Sequence, residues 1–88
     1  MTKLSDLRIF DNGGATIDRY TVVDTTTGAG EGYGGTGYYA LGLSEDCDRP
    51  DGFAQTCDVY ITPRLGKEIK LNDLPDNVRT YIRQRLAL

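Results

Sequence analysis

The 88-residue chain contains no histidine, no tryptophan and only two cysteines. Serine is as scarce, with Ser5 and Ser44 alone. Without histidine there is no near-neutral imidazole, so Ser-His-Asp and Cys-His nucleophile arrangements are excluded together with an imidazole general base. Zinc needs about four N, S or O ligands, and Cys47 with Cys57 supply two. No apolar run approaches the ~20 residues of a membrane-spanning helix. Cations are outnumbered, ten Lys and Arg against thirteen Asp and Glu for a net charge of −3. That balance argues against generic nucleic-acid binding, which uses surplus cations to displace phosphate counterions. The opening Met1-Thr2-Lys3-Leu4 lacks the apolar stretch of a secretory signal, so the expected compartment is a reducing cytoplasm.

What is present reads as short strands followed by one helix in a single domain spanning residues 1–88. A chain of this length buries roughly 60–65% of its unfolded surface, so its core is thin. Leu7–Phe10 is a first strand, stopped by Asp11-Asn12-Gly13-Gly14, whose Asn-Gly and Gly-Gly pairs supply tight-turn conformations. Ile17–Asp24, rich in β-branched and aromatic residues, is a second strand in hairpin with the first. Gly28–Gly37 holds six glycines in ten residues and reads as a long hairpin loop. Tyr38–Leu43 is a third strand, Ser44–Thr56 an acidic loop, and Cys57–Thr62 a fourth strand with Cys57, Val59 and Ile61 inward. Lys67–Leu71 adds a short edge strand with Ile69 and Leu71 buried.

The helix is expected from Asp73 to Leu86, with Asp73 as cap and Pro75 in the first turn. Leu74, Val78, Tyr81, Ile82 and Leu86 share one apolar face, while Arg83 and Arg85 suit the negative C-terminal end. The fold class that follows is α+β: a small antiparallel sheet of four to five strands with one C-terminal helix packed on one face.

Three segments carry motifs. Gly30-Glu31-Gly32-Tyr33-Gly34-Gly35 is G-x-G-x-x-G, as is the run from Gly32 to Gly37. The dinucleotide-binding version needs a strand before and a helix after, yet strand-like Tyr38–Leu43 follows. In a six-glycine run such matches arise by chance, and a plain loop is the simpler reading. In the acidic loop, Asp46, Asp48 and Asp51 offer oxygen ligands for a hard cation. An EF-hand loop starting at Asp46 requires glycine at 51 and glutamate at 57, where this chain has Asp51 and Cys57. A solvated acidic turn fits better. Cys47 and Cys57 either close a disulfide or, as the reducing compartment favours, remain thiols. No cofactor is implied by any of these patterns.

The blocks Arg8-Ile9-Phe10-Asp11-Asn12-Gly13-Gly14, Thr16 and Asp18-Arg19-Tyr20-Thr21-Val22-Val23 resemble the opening of a family of small proteins encoded by bacteriophages and prophages. Leu41-Gly42-Leu43-Ser44, the loop with Pro50, Gly52, Phe53 and Gln55, Leu65-Gly66-Lys67 and Leu74-Pro75 continue that resemblance in order. The six-glycine run and the cysteines around the acidic loop depart from the pattern. The resemblance implies a viral genome setting, hence the cytoplasm of a bacterial host, and no particular reaction.

The expected function is that of a non-enzymatic accessory protein that binds a host protein or a small ligand. Countering host immunity, in the manner of anti-CRISPR proteins or ligand sponges, is one version. The alternatives are a small nucleotide- or metal-binding enzyme using the glycine-rich and acidic loops, and a virion or assembly component joined through a strand edge. The expected binding surface combines Asp11, Asn12, Arg19, Tyr20, Ser44, Arg49, Asp51, Phe53 and Gln55, where the 11–14 turn meets the 44–55 loop. Alternation along the second strand would put Asp18 and Tyr20 on one face and Arg19 on the other. Arg49, before Pro50, is held extended and presented outward. Phe53 has no strand or helix period to account for it, and serves either as a plug for the sheet end or as a binding anchor.

Overall fold

Strand-forming runs and turn signals alternate along the chain, and the backbone follows them closely. The computed structural model describes residues 4–26 and 38–86, without the side chains of residues 57 and 58. After one 3₁₀ turn at Leu4–Asp6 come β1 (Leu7–Asp11), β2 (Tyr20–Asp24), β3 (Tyr38–Leu43) and β4 (Ala54–Val59). A 3₁₀ turn at Pro63–Leu65 leads to β5 (Lys67–Ile69), and another at Leu71–Asp73 leads to helix α1 (Asp76–Leu86). The strands form one sheet in the order β4-β3-β2-β1-β5, with every neighbouring pair antiparallel. This is the α+β architecture expected from the sequence.

Because strand side chains alternate, the register sorts residues into two faces. Ile9 stands opposite Val22 and Ile69, Val22 opposite Leu41, and Tyr20 opposite Leu43. These side chains meet Leu71, Leu74, Val78 and Ile82 in the main core, with Tyr81 and Leu86 packed at its margin. The apolar stripe of α1 is the one its spacing predicts. On the reverse face Phe10, Val23 and Ala40 are buried under Tyr38, Val59, Ile61 and Leu65. Ile61 and Leu65 belong to the connection between β4 at one sheet edge and β5 at the other, so that connection straps this face.

Asp11 extends the first strand by one residue, and four boundaries differ from expectation by more than that. The second strand begins at Tyr20 and not at Ile17, which is 69% exposed. Asn12 is the cause: its Oδ1 accepts the Gly14 and Ala15 N–H groups, while its Nδ2 donates to Thr16 Oγ1 and the Asp18 carbonyl. Those local bonds compete with the ladder and hold residues 12–19 as a wide turn. The fourth strand runs Ala54–Val59 and not Cys57–Thr62, because the Ser44 N–H donates to the Phe53 carbonyl and starts the ladder there. Leu71 is buried in a 3₁₀ turn and not in a strand. The helix starts at Asp76, while Asp73 caps the preceding turn by accepting the Lys70 N–H at 3.0 Å. Pro75 keeps Leu74 extended (φ −81°, ψ 151°), and its carbonyl accepts the helical bond from the Arg79 N–H. The expected loop at Gly28–Gly37 and the inward side chain of Cys57 lie outside the described residues.

Among the described residues no helix is long and apolar enough to cross a membrane.

Candidate functional site

The wide turn of residues 12–19, the 44–53 loop and the first turn of α1 converge on the helix side of the sheet. They enclose an open cleft of about 600 Å³ lined by Gly14, Thr16, Ile17, Arg19, Ser44, Glu45, Asp46, Arg49 and Asn77. The turn and loop therefore meet as the sequence implies.

Arg19 is the hub. Its Nε and Nη2 reach the two carboxylate oxygens of Asp11 at 2.8 and 3.1 Å, a planar two-point pairing, and its Nη1 pairs with Glu45. The guanidinium also lies 5.2 Å from the centre of the Tyr20 ring. The bond to Arg19 holds the Asp11 carboxyl below its ordinary value of 3.8, against a smaller opposing effect of burial. The same bond, joined by that to Glu45, raises Arg19 further above its ordinary value. Burial pushes the Tyr20 phenol up.

The loop is held as firmly. Ser44 Oγ donates to Asp46 at 2.8 Å and accepts the Phe53 N–H at 2.9 Å, joining both ends of the loop. Asn77 Nδ2 donates to the Glu45 carbonyl at 2.7 Å and to Asp48 at 3.0 Å, fastening the loop to the helix. Cys47 is a buried free thiol in the main core. Burial foremost, then the charge of Asp48, raises its pKa, so it resists ionisation and behaves as a small apolar group. Among the described residues no three His, Cys, Asp or Glu side chains gather as a cation site requires. Asp46 and Asp48, offered by the sequence as cation ligands, accept protein donors.

Eight of the nine expected residues separate into three groups, and Tyr20 lies apart from them in the main core. Arg19, Ser44 and Arg49 line the cleft, with Asp11 behind Arg19. Asp51 is exposed and Phe53 half-buried on the same loop. Asn12 lines a different cleft on the reverse face, and Gln55 lies beside Gly42 there. Tyr20 and Ser44 are buried, at 3% and 4% exposed, with Ser44 at the cleft wall and Tyr20 under the Arg19 guanidinium. One correction follows. Arg19 and Tyr20 lie together on the helix side while Asp18 stands over Gly42, because residues 18 and 19 belong to the turn and escape strand alternation.

Sequence reasoning missed Ile17, which it placed in a strand, and Glu45 and Asn77, whose roles depend on contacts across 26 and 32 residues. Comparison with protein-family models, with curated proteins and with solved structures finds no match.

Proposed function

We propose that this chain is a small non-catalytic binding protein, of the accessory kind that phages and prophages encode, and that it acts by occupying a host protein. Its docking surface is the rim of the helix-side cleft. One observation carries the reading: the polar groups of that cleft are tied to one another, and the side chains left over are those that make contact energy. Arg19, Ser44, Asp46 and Asn77 all have partners within the protein. Ile17 is 69% exposed at the rim, and the exposed Arg49 guanidinium has no ion pair among the described residues. A prearranged surface binds with little ordering loss, and an exposed aliphatic group beside an unpaired arginine suits a partner with an apolar pocket edged by carboxylates. An acid–base reaction instead needs carboxylates free to exchange protons with a substrate, and those of this cleft, Glu45 and Asp46, accept donors from Arg19 and Ser44.

The test is affinity capture from bacterial lysate with the wild-type chain and with the Ile17→Asp, Arg49→Ala double variant, followed by mass spectrometry. The expected result is a bacterial protein retained by the wild type and lost from the variant, with melting unchanged. Retention of that protein by both would refute this surface. Capture of virion proteins alone would favour an assembly role.

A further inference from the structure

A second cleft, of about 560 Å³, opens on the strapped face of the sheet between the 12–18 turn and residues 59–65. Its floor includes Thr21, which is only 6% exposed and whose hydroxyl has no hydrogen-bond partner among the described residues. No sealed side-chain nitrogen or oxygen lacks a partner among those residues, so the Thr21 hydroxyl reaches the cleft. A hydroxyl held this way is an unused donor and acceptor, at a depth where leaving it unmatched is unfavourable.

Beside it stands Asp18. Its Oδ1 accepts the Thr16 hydroxyl, and its Oδ2 lies 3.2 Å from the point a β-carbon on Gly42 would occupy. Glycine at 42 thus makes room for a carboxylate over the sheet. Val59 and Leu65 give an apolar wall, Tyr60 is 60% exposed at the rim, and Arg64 is exposed with no ion pair among the described residues.

The geometry points to a binding site for a nucleoside monophosphate. The Tyr60 ring offers a face on which a base stacks. Asp18, with Thr21, presents acceptors to the hydroxyls of a ribose, as acidic residues do in dinucleotide sites. Arg64 supplies the planar cation that pairs with a phosphate. The volume lies in the range of small-molecule sites. A neutral sugar would leave Arg64 unused, and inorganic phosphate alone would face the charge of Asp18. The site does not depend on the protein-binding reading.

Titration of the ¹⁵N-labelled chain with AMP and UMP, and separately with adenosine, ribose 5-phosphate and inorganic phosphate, tests this. Both nucleotides should shift amides within residues 12–21 and 59–65, and each fragment should bind more weakly. Tyr60→Ala should reduce AMP affinity about tenfold, and Thr21→Val should also reduce it. Tyr60→Ala and Arg64→Ala should melt like wild type, since both side chains are exposed. Ile17→Asp should leave AMP binding intact. Absence of shifts at millimolar nucleotide, equal binding of inorganic phosphate, or full affinity in a folded Tyr60→Ala variant would each overturn the proposal.

Discussion

The two faces of the sheet differ in what holds them and in what they leave unpaired. Among the described residues the helix face joins ten buried side chains in one cluster, while the strapped face joins three. Apart from Arg49 at its rim, the polar groups of the helix-side cleft are matched to protein partners, from Arg19 with Asp11 and Glu45 to Asn77 with Asp48. On the strapped side the Thr21 hydroxyl, Tyr60 and Arg64 have no such matches among the described residues. Stability and shape therefore reside mainly on the helix side; each cleft keeps one arginine without an ion pair among the described residues, and the strapped side adds the Thr21 hydroxyl. A protein this small has a few kcal/mol of net stability, so this division decides which positions tolerate change.

The sharpest break of the contrast is Val78→Asp. Val78 is fully buried between helix and sheet, and an unpaired charge there should cost about 4 kcal/mol, enough to unfold the chain. Melting near the wild-type temperature would show that the helix does not carry the fold. Next comes Gly66→Ala, at the end of the strap. Gly66 has φ +95°, and an added β-carbon would stand 2.2 Å from the Asp11 carbonyl oxygen. Backbone strain and displacement together should cost about 2–3 kcal/mol by urea unfolding. Leu65→Ala, which trims the half-buried strap contact, should cost about 1 kcal/mol. If it matched Val78→Asp, the two faces would be equal and the comparison would fail.

Smaller effects concern charge. The Asp11 carboxyl has a folded pKa below its ordinary value, so its contribution is fully present above that value and is lost as pH falls through the lower, folded one. Melting temperature should therefore decline as pH falls below the ordinary value of 3.8, and Asp11→Asn should flatten part of that decline. An identical acid profile in the variant would remove Asp11 from the account. Least of all should change in Glu68→Gln. Glu68 pairs with Arg8 at 2.7 Å, but both side chains are more than two-fifths exposed, so melting should move by less than about 3 °C.

Much of the fold was legible because hydrophobic period and turn chemistry agree along the chain. Val78 and Ile82 announce the buried helix stripe, and Tyr38–Leu43 reads as a strand and is one. The errors cluster where a short polar side chain captures the backbone. Asn12 turns the β-branched run at Ile17 into a loop, and Asp73 caps a 3₁₀ turn and not the helix. The meeting of turn and loop was legible from their polar residues, but its wiring was not. Whether Arg19 pairs with Asp11 alone or also with Glu45 depends on a residue 26 positions away, and no local pattern encodes that pairing. The strapped-face cleft was hidden for a similar reason: Asp18, Thr21 and Tyr60 come together only when the connection from β4 crosses the sheet.

The proposal that the helix-side rim binds protein is tested most directly by a parallel capture from bacterial lysate with three folded proteins: wild type, Ile17→Asp with Arg49→Ala, and Tyr60→Ala with Arg64→Ala. The predicted result is one bacterial protein held by the wild type and by the strapped-face variant and absent from the helix-side variant. Loss of that protein from the strapped-face variant alone, or its retention by all three, would contradict the claim.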